Sequence, residues 1–196
     1  MNFYIKEQDM QHFWQNIHGW SDDYMFHLYS EAVKNNDEGS HFVEIGSWKG
    51  RSASFMCVEI INSGKKIKFD CVDPWTGSEE HQKGGDWEDK SVIEGTLFDE
   101  FINNMKRVEG YYNAIKLPSV EAAKLYDDES LDFVFIDGAH DYDNVCADID
   151  AWLPKVKRGK LLTGHDWPWG PLQKAVMDTL KSGVVPVGTC WTYIKP

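Results

Sequence analysis

Cysteine is scarce and poorly placed for pairing: the 196 residues hold four, Cys57, Cys71, Cys146 and Cys190, widely spaced and without a C-x-x-C pair. That spacing argues against a disulfide framework or a compact zinc knuckle, and thiols in apolar periodic segments read as reduced core residues. Long apolar runs are missing as well. No stretch reaches 18 apolar residues, and the opening "MNFYIKEQDMQHFW" lacks the basic start and apolar segment of a secretory leader. A soluble, cytoplasmic protein with no membrane partner is the expectation. Positive charge is in short supply, with 20 Lys and Arg against 32 Asp and Glu and a net charge of −12. Nucleic acid is therefore disfavoured as a partner, because phosphate binding concentrates Lys and Arg into a patch. Repeats and low-complexity tracts are absent too. What is present is a globular balance, 42% apolar and 27% charged, at a length that suits one hydrophobic core. The whole chain, 1–196, is expected to form one unit, with N-terminal helices over 1–38 and an alternating core over 39–196.

Along the chain, helix and strand signals alternate. Residues 9–35 predict two helices, the second capped within Ser21-Asp22-Asp23. "HFVEIG" reads as a strand, followed by the turn "SWKGRS" and a helix closed by Gly64. "KIKFDCVDPW" is a second strand and "TLFDEFINNMKRV" a helix, with the polar loop "TGSEEHQKGGDWEDK" between them. "YNAIKL", "LDFVFIDG" and "GKLLTGHDW" are further strands, separated by "SVEAAKLY" and "NVCADIDAWLPKV" as helices. The helix "PLQKAVMDTLKSG" then leads into a terminal hairpin, "VVPVGTCWTYIK", turning at Gly188-Thr189. This alternation predicts an α/β, doubly wound, mostly parallel sheet with helices on both faces.

Ligands of such sheets sit beyond the carboxyl ends of the strands, where strand order reverses. The first strand ends in "VEIGSWKGRS", where Gly46 and Gly50 permit close backbone approach and Glu44 stands at the mouth. The second ends in Asp73, about 20 residues beyond Gly50, a spacing at which an acid commonly reaches a ribose diol. An adenosine-containing ligand suits both. The third glycine of a dinucleotide fingerprint is missing, which favours S-adenosylmethionine over a pyrophosphate cofactor. The same G-x-x-x-G also arises from plain helix packing, and Glu44 serves equally as a cap of the following turn.

The segments "FVEIGSWKGRS", "FDCVDPWTG", "LDFVFIDGAHDYDNVCADIDAWLPKVKRGKLLTGHDW" and "CWTYIKP" together resemble the class I S-adenosylmethionine-dependent methyltransferases. More narrowly they are similar to the group of macrocin-type sugar O-methyltransferases and the methyltransferase relatives of cephalosporin biosynthesis. The resemblance runs from about residue 40 to the end and is most specific between Leu131 and Trp167. It implies a Rossmann-like seven-stranded sheet with an antiparallel last strand, and it makes 39–196 a cofactor-binding catalytic core. By the same resemblance, Gly46 and its neighbour Ser47 contact the methionine part and Asp73 the ribose. Trp75 borders the adenine and Ser119 lines the base pocket. Trp75 also reads as a core aromatic, and Ser119 as the cap of the helix that it opens.

Asp137 ends the fourth strand, beside both cofactor and acceptor, and Asp166 ends the fifth next door. Two carboxylates at neighbouring strand ends suit a divalent cation such as Mg²⁺ or Mn²⁺, with His165 as a softer third ligand. Such a metal would lower the pKa of an acceptor hydroxyl. In the resembling metal-dependent enzymes a basic side chain stands three residues after the first metal Asp, which makes His140 the general base here. Its other reading is a loop histidine bonded to Asp141 or Asp143. A metal-free version, with His140 or His165 as base, also fits. Asp141, Asp143 and Asp148 read as a solvated helix start.

Nine tryptophans are many for this length. Those of "WPWGP" and "GGDW" suit platforms for a sugar or aromatic acceptor, whereas Trp14, Trp152 and Trp191 suit core or rim packing. The loop from Thr76 to Lys90 is placed as a lid over the acceptor. Three functions compete: an O-methyltransferase acting on a small-molecule or saccharide hydroxyl, a metallohydrolase built on the His/Asp cluster, and a non-catalytic S-adenosylmethionine-binding protein. The family resemblance also suits a homo-oligomer.

Overall fold

A computed structural model describes residues 9–196; residues 1–8, part of the helical segment expected over 1–38, lie outside the described residues. Strand β1 (His41–Ile45) alternates its side chains between two helical layers. Phe42 joins a cluster with Met25, Tyr29, Met56 and Phe101, while Val43 and Ile45 join Val145, Ile149 and Trp152 on the opposite face. The period of two sorts neighbouring residues to opposite faces, so a continuous apolar run belongs in the middle of a sandwiched sheet. β4 (Leu131–Ile136), buried at every position, is the extreme case.

The other strands are β2 (Lys68–Val72), β3 (Asn113–Ile115), β5 (Val156–Gly164), β6 (Val184–Val187) and β7 (Cys190–Ile194), and their order is β3-β2-β1-β4-β5-β7-β6. β1 to β5 run parallel to one another, and β7 runs antiparallel to both β5 and β6. The doubly wound, seven-stranded expectation is met. β5 begins at Val156, earlier than "GKLLTG" predicts, because the register shifts between Leu131↔Val156 and Phe133↔Leu161 and so admits a bulge.

Helices α1 (Asp23–Asn35), α2 (Arg51–Ser63) and α4 (Leu97–Met105) cover one face, and α5 (Ser119–Ala123), α6 (Tyr142–Trp152) and α7 (Gly170–Leu180) the other. A short α3 (Lys90–Ile93) precedes α4. α6 presents Val145, Ile149 and Trp152 at helical spacing to the sheet, and each such fully buried side chain stabilises by roughly 1.5–3 kcal/mol. Two helices were expected over 9–35, whereas the structure has α1 preceded by a single 3-10 turn at Trp14–Asn16. The Arg51 guanidinium of α2 lies over the Trp14 ring and takes the Trp14 and Ile17 carbonyls, a tertiary contact that replaces further helical bonds. Asp22 caps α1 through Tyr24 and Met25 N–H. The four cysteines are free thiols, three of them buried. Among the described residues no helix is long and apolar enough to cross a membrane.

Candidate active site

Strand order reverses between β1 and β4, and a cleft of about 980 Å³ opens there at their carboxyl ends. The two strand ends touch. A Cβ on Gly46, whose φ is +88°, would stand 1.9 Å from the Asp137 carbonyl oxygen, so only glycine fits. Gly50 answers a different demand: it opens α2 at φ +91°, and a Cβ there would press on Met105 of α4. Its role is helix packing, and it does not line the cleft.

Gly46, Ser47, Asp73, Ser119, Asp137, His140, His165 and Asp166 all line the cleft, as the sequence led us to expect. Glu44 and Trp75 do not. Glu44 is fully buried beneath the floor, where it accepts hydrogen bonds from Tyr29 Oη (2.9 Å) and Ser52 Oγ (3.0 Å). Burial pushes its carboxyl up to about 7 against the pull of those two donors. Trp75 packs between Phe98 and Phe101 and donates Nε1–H to the Trp48 carbonyl at 2.7 Å, so its core reading holds.

Asp73 holds the β2 end of the cleft. Its two oxygens accept from Trp48 N–H (2.9 Å) and Trp75 N–H (2.6 Å), which ties the turn after β1 to the turn after β2. Burial raises its pKa while these two donors lower it. Ser119 sits at the first turn of α5, but Pro118 is the cap; the hydroxyl accepts from Trp152 Nε1 at 2.8 Å. Asp148, expected in solvent, is buried and bonded to Ser119, and burial pushes it up to about 6.

At the β4 and β5 ends the ionisable residues form a chain. Thr189 Oγ1 donates to Asp22 Oδ2, which lies 3.4 Å from His165 Nε2. His165 Nδ1 is 3.2 Å from Asp166 Oδ1, and Asp166 Oδ2 is 3.1 Å from His140 Nε2. His140 Nδ1 then faces Glu80 at 3.7 Å. Burial works against ionising Asp166, yet the bonds from His140 and His165 hold its carboxyl well below the usual carboxylate range. His140 is raised, first by its bond to Asp166. For His165, burial opposes the cation, but Asp166, Asp137 and Asp22 together push it up to about 9. Asp137 is pushed up to about 7, chiefly by burial, with His165 pulling the other way.

A metal set of Asp137, His165 and Asp166 was expected. The structure keeps His165 beside both carboxylates, its Nδ1 3.7 Å from Asp137 Oδ1 and 3.2 Å from Asp166 Oδ1, and adds His140: Asp137, His140 and Asp166 can each offer one ligand atom within 4.8 Å of the others. Asp166, at φ +58°, turns the chain into the cleft, whereas His165 Nε2 faces back to the cap of α1. Carboxylate, imidazole and carboxylate suit a divalent cation in donor type, but the two imidazoles already balance much of the Asp166 charge. Two buried polar atoms of residues that line the cleft, Ser47 Oγ and Trp48 Nε1, have no well-formed hydrogen bond.

The walls hold residues that the sequence did not single out: Trp20, Trp48, His81 and Glu80. Trp48 and His81 lie 4.4 Å apart, and Trp20 packs beside both. Nothing in composition separates these from core aromatics; only the position of Trp48 beside the glycines marked it. Trp87 and Trp169, two of the expected platforms, line the cleft, while Trp167 packs against the second core cluster. Trp152 and Trp191 are buried as expected. The loop over 76–90 contributes Gly77 to His81 and Trp87 to one wall.

Comparison with known proteins agrees with this architecture. The family model described as a methyltransferase domain matches residues 43–167. An uncharacterized protein, y4gI, of Sinorhizobium fredii is 23% identical over 124 residues, 63% of this chain, and the chain spans about 13% of that relative's length. The O-methyltransferase NovP superposes with a TM-score of 0.62 at 15% identity, covering 88% of this chain and 79% of its own. Cofactor-bound Rv0187 from MTB gives 0.62 at 15% identity, with 90% and 82% covered. The Bacillus cereus O-methyltransferase in complex with SAH gives 0.58 at 16%, with 91% and 83% covered. At these identities the likeness is one of fold, while the family match spans well over half of the chain. The chain belongs to the methyltransferase-domain family, with the Rossmann-like fold of class I S-adenosylmethionine-dependent methyltransferases.

Proposed function

We propose that the protein is an S-adenosylmethionine-dependent O-methyltransferase that acts on the hydroxyl of a small molecule or saccharide, with 39–196 as its catalytic core. The observation that carries the reading is the His140–Asp166 pair at the β4 and β5 ends, at the far side of the cleft from Asp73. With Nε2–H donated to Asp166, the imidazole is held in the tautomer whose Nδ1 lone pair is free to accept a proton. Nδ1 is 3.7 Å from Glu80, beyond a hydrogen bond, so that face is open to an acceptor.

In this reading Asp73 holds the ribose hydroxyls, and Gly46 with Ser47 lets the methionine portion approach the backbone. When bound, S-adenosylmethionine would supply an electrophilic methyl group for the acceptor oxygen, with S-adenosylhomocysteine as the leaving product. His140 Nδ1 takes the hydroxyl proton, and Asp166 stabilises the resulting imidazolium. Asp137, whose carboxyl burial pushes toward its neutral form, stands beside the acceptor oxygen in this reading. Glu44 acts from below the floor through Ser52 rather than by contact with a ligand.

A second reading of the same residues has Asp137, His140 and Asp166 hold a divalent cation, which would lower the pKa of the acceptor hydroxyl. It is favoured by the closeness of their ligand atoms, and it leaves His140 no free role as base.

The test is calorimetric titration of S-adenosylhomocysteine into EDTA-treated protein, repeated with Mg²⁺ or Mn²⁺, for wild type and His140→Ala. Saturable one-site binding in both proteins, with turnover lost in the variant, is expected. A metal requirement for wild-type turnover would favour the cation reading, and no binding under any condition would remove the methyltransferase reading and bring the metallohydrolase forward. Full turnover by His140→Ala would overturn the assignment of the base.

A further inference from the structure

Three tryptophans around the cleft leave large faces in solvent: Trp20 is 48% exposed, Trp87 58% and Trp169 53%. Trp20 and Trp87 meet edge to face with centroids 6.0 Å apart, and Trp169 lies parallel to His140 at 5.5 Å. Scattered apolar residues on a surface are ordinary. Three indoles around one cavity form a patch that an occupant would cover, and flat faces suit a ring. Asp73 and Ser119 follow β2 and β3, whereas His140 and Trp169 follow β4 and β5 across the switch point. The indole of Trp169 therefore stands on the acceptor side.

The charges of the rim are of one sign. Glu79, Glu80 and Asp141 line it, and among the described lining residues there is no lysine. Arg51, the one arginine there, donates to Ser21 Oγ and to the carbonyls of Ile17 and Trp14, and its guanidinium lies over the Trp14 ring. His140 faces Asp166 and Glu80, and His165 faces Asp22, Asp137 and Asp166. Both histidines of the cleft stand beside carboxylates, and Arg51 is held by the hydroxyl and carbonyl oxygens that it bonds. A phosphate or carboxylate brought in by an acceptor would find no lysine and would have to compete with Asp166 for the imidazoles, and it would meet Glu79 and Glu80 on the wall.

Resting on the methyltransferase reading, we propose that the acceptor is a hydroxylated ring without an anionic group, and that Glu79 and Glu80 select against phosphorylated, nucleotide-linked or carboxylated versions of that ring. An ammonium substituent is accepted, because indole faces and carboxylates both attract cations.

The protein saturated with S-adenosylhomocysteine is titrated with two charge-graded series, followed by calorimetry and tryptophan fluorescence. One series is catechol, dopamine and 3,4-dihydroxybenzoate; the other is methyl glucoside, glucosamine and glucose 6-phosphate. The neutral and ammonium members of at least one series should bind, with the anionic member weaker by at least about tenfold, since like charges brought together suppress the wrong partner. Glu79→Lys combined with Glu80→Lys should close that gap. Trp87→Ala, which trims an exposed indole, should weaken all members of the series that binds. Equal or tighter binding of the anionic members would overturn the inference, as would no binding of any member to the saturated protein. Loss of S-adenosylhomocysteine binding itself is measured first and separately, and it would count against the underlying reading instead.

Discussion

At the scale of single residues, Asp73 carries two duties that one substitution separates. Its oxygens satisfy the N–H groups of Trp48 and Trp75, and its place at the β2 end faces the cleft. Asp73→Ala leaves two buried donors without partners, for a loss of stability on the order of 2 kcal/mol. If Asp73 also holds the ribose, the affinity for S-adenosylhomocysteine falls by at least about tenfold. Urea denaturation and calorimetry measure the two effects, and unchanged affinity beside lowered stability would make Asp73 a structural residue alone. Asp73 was legible in the sequence through its spacing from the glycines. Glu44 was not: its side of β1 depends on which neighbour lies across the sheet, and the face bearing Tyr29 and Ser52 took it away from the ligand. Asp22 was legible as a helix cap, but its bond to His165, 143 residues away in sequence, has no local signal.

At the scale of elements, the loop over 76–90 is fastened at one end by Asp73 and at the other by Lys49. The Lys49 side chain is 8% exposed, and its ammonium reaches Asp89 Oδ2 at 2.8 Å and Glu100 Oε2 at 3.0 Å. Asp89 caps α3 through Ser91 N–H. Burial alone would raise its pKa, but the bonds from Lys49 and Ser91 take it down to about 2. Replacing Lys49 with Met leaves Asp89 without its counter-charge and should cost on the order of 3 kcal/mol. Limited proteolysis of Lys49→Met should then cut within 76–90 faster than in wild type; equal cleavage rates would mean that the loop is held by its aromatic contacts instead. The strand and helix order was readable because period-two and period-3.6 patterns are local. The 3-10 turn at 14–16 and the early start of β5 were not, since both follow from tertiary contacts.

At the scale of the molecule, the shifted groups set the pH dependence of stability. Glu44 and Asp137, raised to about 7, bind more protons folded than unfolded, so their contribution falls as pH rises from the ordinary carboxylate range through 7. His165, raised to about 9, contributes fully below the ordinary imidazole value and loses that contribution as pH climbs through 9. Asp22, Asp70, Asp89 and Asp166 are lowered and act oppositely, stabilising above their ordinary values and losing that as pH falls. The maximum should therefore lie at mildly acidic pH, near about 5, with a decline toward 9. Thermal melts across pH 4 to 9 measure it, and His165→Gln should flatten the alkaline limb; a Tm that rose from pH 5 to 8 would contradict the assignment. The net charge of −12 adds repulsion in the same direction.

The sequence by itself determined the doubly wound sheet and the strand ends that bear the cleft, and with the family resemblance it pointed to eight of the residues that line it. The sheet and its strand ends follow from hydrophobic period and from the rule that ligands meet parallel sheets at their carboxyl ends. Only the tertiary structure decided the partners: that Glu44 lies beneath the floor, that Gly50 serves packing, that His140 and His165 flank Asp166 from opposite sides, and that Trp20 and Trp48 share a wall. Side-chain period is local, but which charges and rings meet depends on the crossing of segments far apart in the chain, and no local pattern encodes that crossing.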